Sequence, residues 1–582
     1  VEILTLAQSK IRRRRRRDGP AEGPQRVWPI LLAGTLLLFL VRVALSLIRS
    51  GPVLVADEMG YLGNARTIAG GIGAQMDLAP FYRSGYSLLI APLLGLFSDP
   101  AVEYHLVLVL NAALAAAVFP LLYLLLTRFA AAPARVALWA SLAGAVYPAI
   151  TVLSQAAMSE NALFPLVCVW LICFAGLLSA NRPRPELLWA IGLGAVTGAL
   201  WVVHNRMIVA VAVAVVGMAW LLYRRRIRPA AFVAGMFTIA LFVLGGHFLD
   251  SFIVDHNYGG SATDEFTSRT HELFRFEGFR TAFANVLGQT WYLLVATFGL
   301  AAVVLGDYLR GRPRRSDDRI ASPDPSRPIV AVLLVLTGLL LLVSASAFPE
   351  RTRPDMLIYG RYAEIVSPAL IAFGICALAR GRAGRRIAWP LAGFAVLTGV
   401  VVLVRATASD PDPANRWNIS ALPFVTMELG PAVLIGAAVI AVAGAVVLRL
   451  AADRGAGTLG VAALALFLGV VAYGAWNPVR SSERAIYPSG WTDPEPATEA
   501  AGGGPIAYDL DHYETIGLYV FQWFLPDSRI LLFHGDREPA PARLVISDRH
   551  YGRRHAGSEA VEIWSAAGRD QSLWRLHDRQ AR

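Results

Sequence analysis

A chain of 582 residues with 55% hydrophobic side chains, 16% charged side chains and a mean hydropathy of +0.50 is too apolar for a water-soluble protein. Such a protein would carry roughly 25% charged residues. The formal charge of +11 would suit nucleic acid, but the arginines lie in short loops between long apolar runs, which is the bias of membrane topology. The three cysteines, Cys168, Cys173 and Cys376, sit within apolar runs, so no disulfide framework or Cys-rich metal site follows from them.

In chain order, residues 1–26 are a basic tail with arginines at 12–17. No A-x-A cleavage signal follows, so the tail reads as a cytoplasmic anchor beside anionic lipid. The first span is 27–48. Later spans are expected at 103–127, 135–155, 161–179, 187–203, 207–223, 230–249, 286–309, 329–348, 365–379, 387–404, 431–449 and 459–475. That makes about thirteen, each long enough to cross a bilayer core. With the N-terminus inside, the inner segments hold more than twice the Lys and Arg of the outer loops, so the loop charges agree with the count. Residues 85–97 are apolar but too short to span, and read as re-entrant or interfacial. Residues 477–504 have the Pro, Ser, Gly and Glu of a linker. Short apolar runs follow at 505–508, 529–533, 543–547 and 561–564, with a helix-like segment at 512–525. The expected architecture is an all-α polytopic membrane domain over 27–476. A small extracytoplasmic α/β domain, linker included, covers 477–582.

The chemistry concentrates just outside the first span. Residues 55–86 hold the adjacent acids Asp57 and Glu58, then Tyr61, Asn64, Arg66, Arg83 and Tyr86. On a helix, Asp57, Tyr61 and Asn64 fall at i, i+4 and i+7 and share a face, and Gly70-Gly71 offers a stop. Other outer segments supply Glu160 between Ser159 and Asn161, Arg206 in the turn 204–206, and Arg361-Tyr362. A carboxylate here can act as a general base on a hydroxyl or hold a divalent metal. Guanidiniums suit phosphate because they pair with it bidentately and stay charged when partly buried. Simpler roles compete at each position: a helix cap for Asp57, Glu58 or Glu160, snorkelling for Arg83, a flanking charge for Arg361, a tight connection at His204–Arg206. Acids and arginines together at the outer leaflet fit a sugar carried on a polyprenyl phosphate.

These residues resemble a known family. Asp57-Glu58 with Tyr61 and Ala65 resembles the first-loop motif of GT-C glycosyltransferases, most nearly the protein O-mannosyltransferase and lipid A aminoarabinose transferase group. Residues 80–92, PFYRSGYSLLIAP, are similar to that family's next juxtamembrane element, with Arg83 where several relatives have Lys. Ser159-Glu160-Asn161, and Gly360-Arg361-Tyr362 leading into Ser367-Pro368-Ala369, also resemble its patterns. The resemblance implies an inverting transfer by single displacement. Asp57 would be the base and Glu58 would orient it or help hold a metal. Arg83 and Arg361 would bind the carrier phosphate, with Arg206 a weaker candidate. Tyr61, Tyr86, Glu160 and Tyr362 complete the expected substrate-binding set. A lipid-linked sugar transporter or flippase, and an outward-facing glycan ligase or polymerase, are the competing functions. Spans nearly free of acids count against the transporter. The sugar, the acceptor, metal need and oligomeric state stay open.

Overall fold

The computed structural model describes residues 27–53, 56–76, 79–97, 99–180, 182–259, 275–310, 326–347, 354–380, 399–400, 416–422, 502–511, 515–534, 542–554, 560–565 and 572–576. Helix α1 (Val27–Ser46) leads to α2 (Ala56–Ile68), which carries the acidic pair, and to α3 (Ser84–Leu94). Then come α4 (Pro100–Phe129), α5 (Ala134–Ala145), α6 (Pro148–Leu153), α7 (Glu160–Ser179), α8 (Pro183–Val203), α9 (Ile208–Tyr223) and α10 (Pro229–Asn257). The helical part continues through α11 (Phe276–Ala296), α12 (Leu300–Arg310), α13 (Arg327–Ser346), the one-turn α14 (Arg361–Glu364) and α15 (Ser367–Ala379).

Among the described residues, seven helices are long and apolar enough to cross a membrane, or eight if the bent pair α11–α12 is one span. This is a multi-pass membrane protein. Three of the expected spans take other forms. The run 286–309 falls within α11 and α12, which meet at 101° where Phe298 and Gly299 adopt positive φ. The run 135–155 is two short helices. Pro148 opens α6, and a proline cannot continue the hydrogen bonds of the helix before it. The break leaves the Ala145 carbonyl without its helical donor, and the buried Arg42 guanidinium of α1 donates to it at 2.7 Å. The run 365–379 forms α15, whose 13 residues are shorter than a full crossing. The expected spans at 431–449 and 459–475, and nearly all of 387–404, lie outside the described residues. The short apolar segment after Arg83 is an 11-residue helix, α3.

The C-terminal unit holds a five-stranded sheet. Its strands are β1 (Ile506–Asp509), β2 (Ile530–Phe533), β3 (Leu544–Ser547), β4 (Ala560–Ser565) and β5 (Ser572–Leu576), in the order β2-β1-β3-β5-β4. β1 runs parallel to β2 and β3, and helix α16 (Thr515–Phe524) makes the crossover from β1 to β2, as parallel pairing requires. β5 pairs antiparallel with β3 and β4, around the one-turn helix α17 (Tyr551–Arg554).

Arg66 is among the side chains that fasten this unit to the membrane part, alongside Gln522, whose Nε2 donates to the Gln75 carbonyl at 3.1 Å. Arg66, at the end of α2, donates to the carbonyls of Gln522 and Trp523, both at 2.9 Å. These carbonyls belong to the last turn of α16, where backbone acceptors lack helical donors and a cation is favoured. The guanidinium also lies 4.2 Å from the centre of the Trp523 ring and 3.5 Å from Glu103. The helix of Asp57 is therefore pinned at its far end by the C-terminal unit. Arg66→Ala removes two charge-assisted hydrogen bonds and a ring contact, about 3 kcal/mol or more together. Amide exchange in α16 and β1 should then accelerate, by roughly a hundredfold if undocking limits it. Unchanged exchange would mean that other contacts hold the unit.

Candidate active site

Helix α2 builds the site by presenting one face to the segment before α3. Asp57, Tyr61 and Asn64 all meet Tyr82. The Tyr82 hydroxyl donates to Asp57 Oδ1 at 2.8 Å, its ring stands edge-on to Tyr61 at 5.4 Å, and its carbonyl accepts from Asn64 Nδ2 at 2.9 Å. The approach is close enough that a Cβ on Gly60 would overlap the Tyr82 ring, so only glycine fits there. The helix ends as its glycines suggest. Gly70 takes φ +87°, and the Gly70 and Gly71 amides return to the carbonyls of Thr67 and Arg66.

Charges from four elements converge on this face. Arg361 Nη1 donates to Asp57 Oδ2 at 2.8 Å, while its Nε lies 3.3 Å from Glu160 Oε1. Glu160 also receives Arg206 Nη2 at 2.9 Å. The order is thus Asp57, Arg361, Glu160, Arg206, with acids and bases alternating. Tyr61 joins it through its hydroxyl, which donates to Ser159 Oγ at 2.9 Å, one residue from Glu160. Tyr362 lies under the Arg206 guanidinium, 4.4 Å from ring centre to Cζ. Asp57 is the open end: its side chain is 32% exposed, whereas Glu160 is 0% and Arg361 8%. In this cluster Asp57 is the carboxylate that a substrate can reach.

Arg361 is held from behind. The Gly360 amide donates to the Asn418 carbonyl at 2.8 Å, and Asn418 Oδ1 lies 3.4 Å from Arg361 Nη1. Glu364, at the other end of α14, accepts from the Tyr292 hydroxyl and from the Ala421 amide. Burial pushes the Glu364 carboxyl up to about 8, against those hydrogen bonds. Burial also works against the Arg361 charge, but Glu160, Tyr359 and Asp57 more than offset it and raise its pKa well above the usual value.

Arg83 caps α3 beside this cluster. It donates to Asp250 Oδ2 at 3.0 Å and to Asn205 Oδ1, and stacks 4.0 Å from the Trp201 ring centre. Asp250 in turn accepts from the Ser84 amide at 3.0 Å. His204 Nδ1 accepts from the Arg206 amide at 3.2 Å, and its ring stands edge-on to Tyr362 at 5.8 Å. Burial lowers its pKa well below that of a free imidazole, and Arg206, Arg361 and Arg83 all add to the effect.

Two expected site residues point elsewhere. Consecutive residues on a helix diverge by about 100°, so Glu58 cannot share the face of Asp57. Glu58 is fully buried and accepts from the Tyr104 hydroxyl at 2.8 Å, the Ala157 amide at 2.6 Å and the Val53 amide. It ties α2 to α4 and to the segment before α7. Tyr86 is likewise buried and donates to Asn111 Oδ1 at 2.8 Å. A metal shared by Asp57 and Glu58 does not fit this arrangement, since the second carboxylate is turned inward and spoken for. Among the described residues no group of three or more His, Cys, Asp or Glu could hold a metal ion. The structure adds Tyr82, Asn205, Asp250 and Asn418 to the site. Tyr82 adjoins Arg83 within 80–92, and Asp250 stands out as an acid at the end of an apolar run.

No protein-family profile matches the chain, and no curated protein matches it in sequence. Solved structures do. ArnT from Cupriavidus metallidurans bound to undecaprenyl phosphate is similar at 15% identity over 96% of this chain and 99% of that one, with a TM-score of 0.51. The same protein in the apo state gives 15% identity, 95% and 98% coverage and a TM-score of 0.52. The chain has the ArnT fold. The GT-C resemblance carried by the motifs around Asp57 and Arg361 is thus borne out in the fold. Arabinosyltransferase EmbB from Mycobacterium smegmatis is a weaker likeness, with 17% identity, 82% and 44% coverage and a TM-score of 0.43.

Proposed function

We propose that this chain is a membrane glycosyltransferase of the GT-C type, moving a sugar from a polyprenyl-phosphate donor to an acceptor hydroxyl at the outer membrane face. The observation that carries it is Asp57: a solvent-reached carboxylate gripped by Arg361, which is itself seated on the buried Glu160. That arrangement offers a base and a phosphate-binding cation side by side. The undecaprenyl phosphate bound in the ArnT structure supports a donor of this class. In the proposed orientation the N-terminus is cytoplasmic and residues 477–582 are extracytoplasmic.

In the reaction, Asp57 takes the proton of the acceptor hydroxyl as that oxygen bonds to the anomeric carbon. The bond from that carbon to the phosphate oxygen breaks, and the phosphate leaves with the electron pair from the opposite face, inverting the centre. Arg361 and Arg83 bind the phosphate and stabilise the charge it gains. A phosphate competing for Arg361 loosens its hold on Asp57, so donor arrival frees the base when it is needed. Arg206 keeps Glu160 neutralised while Arg361 shifts. Tyr82 orients Asp57 by its hydrogen bond.

Mass spectrometry of lipid carried through purification tests the donor class. A polyprenyl phosphate or its sugar ester should accompany the native chain and be depleted in Arg361→Ala. Ordinary phospholipid alone, at equal levels in both proteins, would count against the reading.

A further inference from the structure

We propose that a groove at the opposite end of α7 from Glu160 binds one anionic phospholipid of the opposite leaflet. The groove encloses about 550 Å³ between α4, α7 and the start of α8, within the roughly 300–1,000 Å³ of pockets that hold organic ligands. Leu124, Ile172 and Trp189 wall it, and Arg128 and Arg182 stand at its edge. Gly176 sets its depth, because a Cβ there would overlap the Trp189 ring and push it outward.

Its position in the bilayer follows from the helices. α7 runs for 20 residues, from Glu160 in the candidate active site to Ser179 in the groove. At 1.5 Å per residue that is about 30 Å, the thickness of the hydrocarbon core. α8 makes the return journey, from Arg182 to His204. The groove therefore opens at head-group depth on the far face of the membrane from Asp57.

Its chemistry is that of a phospholipid. Arg128 and Arg182 are both exposed, and neither has an ion-pair partner among the described residues. The acid nearest in sequence to Arg182, Glu186, is buried and accepts from the Arg228 amide at 2.6 Å. Two guanidiniums with no ion-pair partner among the described residues, beside an apolar slot, match a phosphate joined to an acyl chain. A zwitterionic head group brings its own cation to the arginines and is disfavoured. A free phosphate has no acyl chain to fill the slot.

Native mass spectrometry of the full chain in detergent tests this, with phosphatidylglycerol and phosphatidylcholine added in turn. The expected result is one retained phosphatidylglycerol and much weaker phosphatidylcholine. Arg128→Ala with Arg182→Ala should weaken the phosphatidylglycerol by roughly fivefold for each arginine. Both changed to Lys should restore most of the affinity, which a merely misfolded protein would not do. Equal binding of the two lipids, or phosphatidylglycerol unaffected by the double Ala variant, would overturn the proposal. Full competition by millimolar inorganic phosphate would overturn it too, since the slot would then contribute nothing. The readout is independent of sugar transfer and stands whether or not that reading holds.

Discussion

Asp57→Asn should lower turnover by about 10²–10⁴-fold while donor affinity holds or rises, because a phosphate no longer competes with a carboxylate for Arg361. The asparagine keeps the side-chain shape and can still meet Tyr82, but it cannot accept the acceptor's proton. The effect should be large because the neighbouring carboxylates cannot take over. Glu160 is fully buried and held by two arginines, and Glu58 faces the interior. Glu58→Gln gives the contrast. Its carboxylate accepts three hydrogen bonds across three elements, so its loss should show first as a lower melting temperature. Purified variants, assayed for release of polyprenyl phosphate and for thermal unfolding, separate the two. Near-normal turnover of folded Asp57→Asn would end the general-base assignment.

Arg361→Ala should damage both binding and structure. On the proposed reading, removing the guanidinium takes one charge-assisted contact from the phosphate, so donor affinity should fall by roughly tenfold or more. It also leaves Glu160, fully buried, with Arg206 as its one remaining ion-pair partner among the described residues. Breaking a buried pair from one side costs about 3–5 kcal/mol, and the surviving Arg206 should keep the loss toward the lower end. Arg361→Lys should recover much of the stability, because a charge remains near Glu160. It should recover less of the activity, because an ammonium cannot bridge Asp57 and Glu160 with fixed geometry. Donor titration and thermal unfolding of the two variants provide the measurements. Unchanged donor affinity and unchanged melting in Arg361→Ala would remove the residue from both roles.

Local order explains what the sequence made legible. The spacing of Asp57, Tyr61 and Asn64 places them on one face, and all three share one partner, Tyr82. Helical period suffices for that inference because all three lie within two turns. The same period sets Asp57 and Glu58 about 100° apart, so adjacency in sequence does not make them a pair on the helix. Long-range partners were not legible: Asp250 lies 167 residues from Arg83, and Gln522 456 residues from Arg66. Nothing local marks such pairs beyond a charge at the end of an apolar run. In the C-terminal unit the hydrophobic runs marked β1 to β4, whereas β5 is five residues with an arginine inside and carries too little pattern to stand out. The run 135–155 looked continuous because hydropathy does not weigh the single Pro148 that divides it.

The Arg66 clamp also bears on biosynthesis. Its hydrogen-bond partner Trp523 follows it by 457 residues. At about 5–20 residues per second, that interval is on the order of half a minute to a minute and a half. Throughout it, α2 has emerged but lacks the helix end that will cover its guanidinium, and Glu103 is the nearest anion to share the charge. The helix bearing Asp57 is among the first parts of the chain to be made and among the last to be fastened. A ribosome-stalled chain ending before α16 would carry every charged group of the candidate active site with the far end of α2 still untethered.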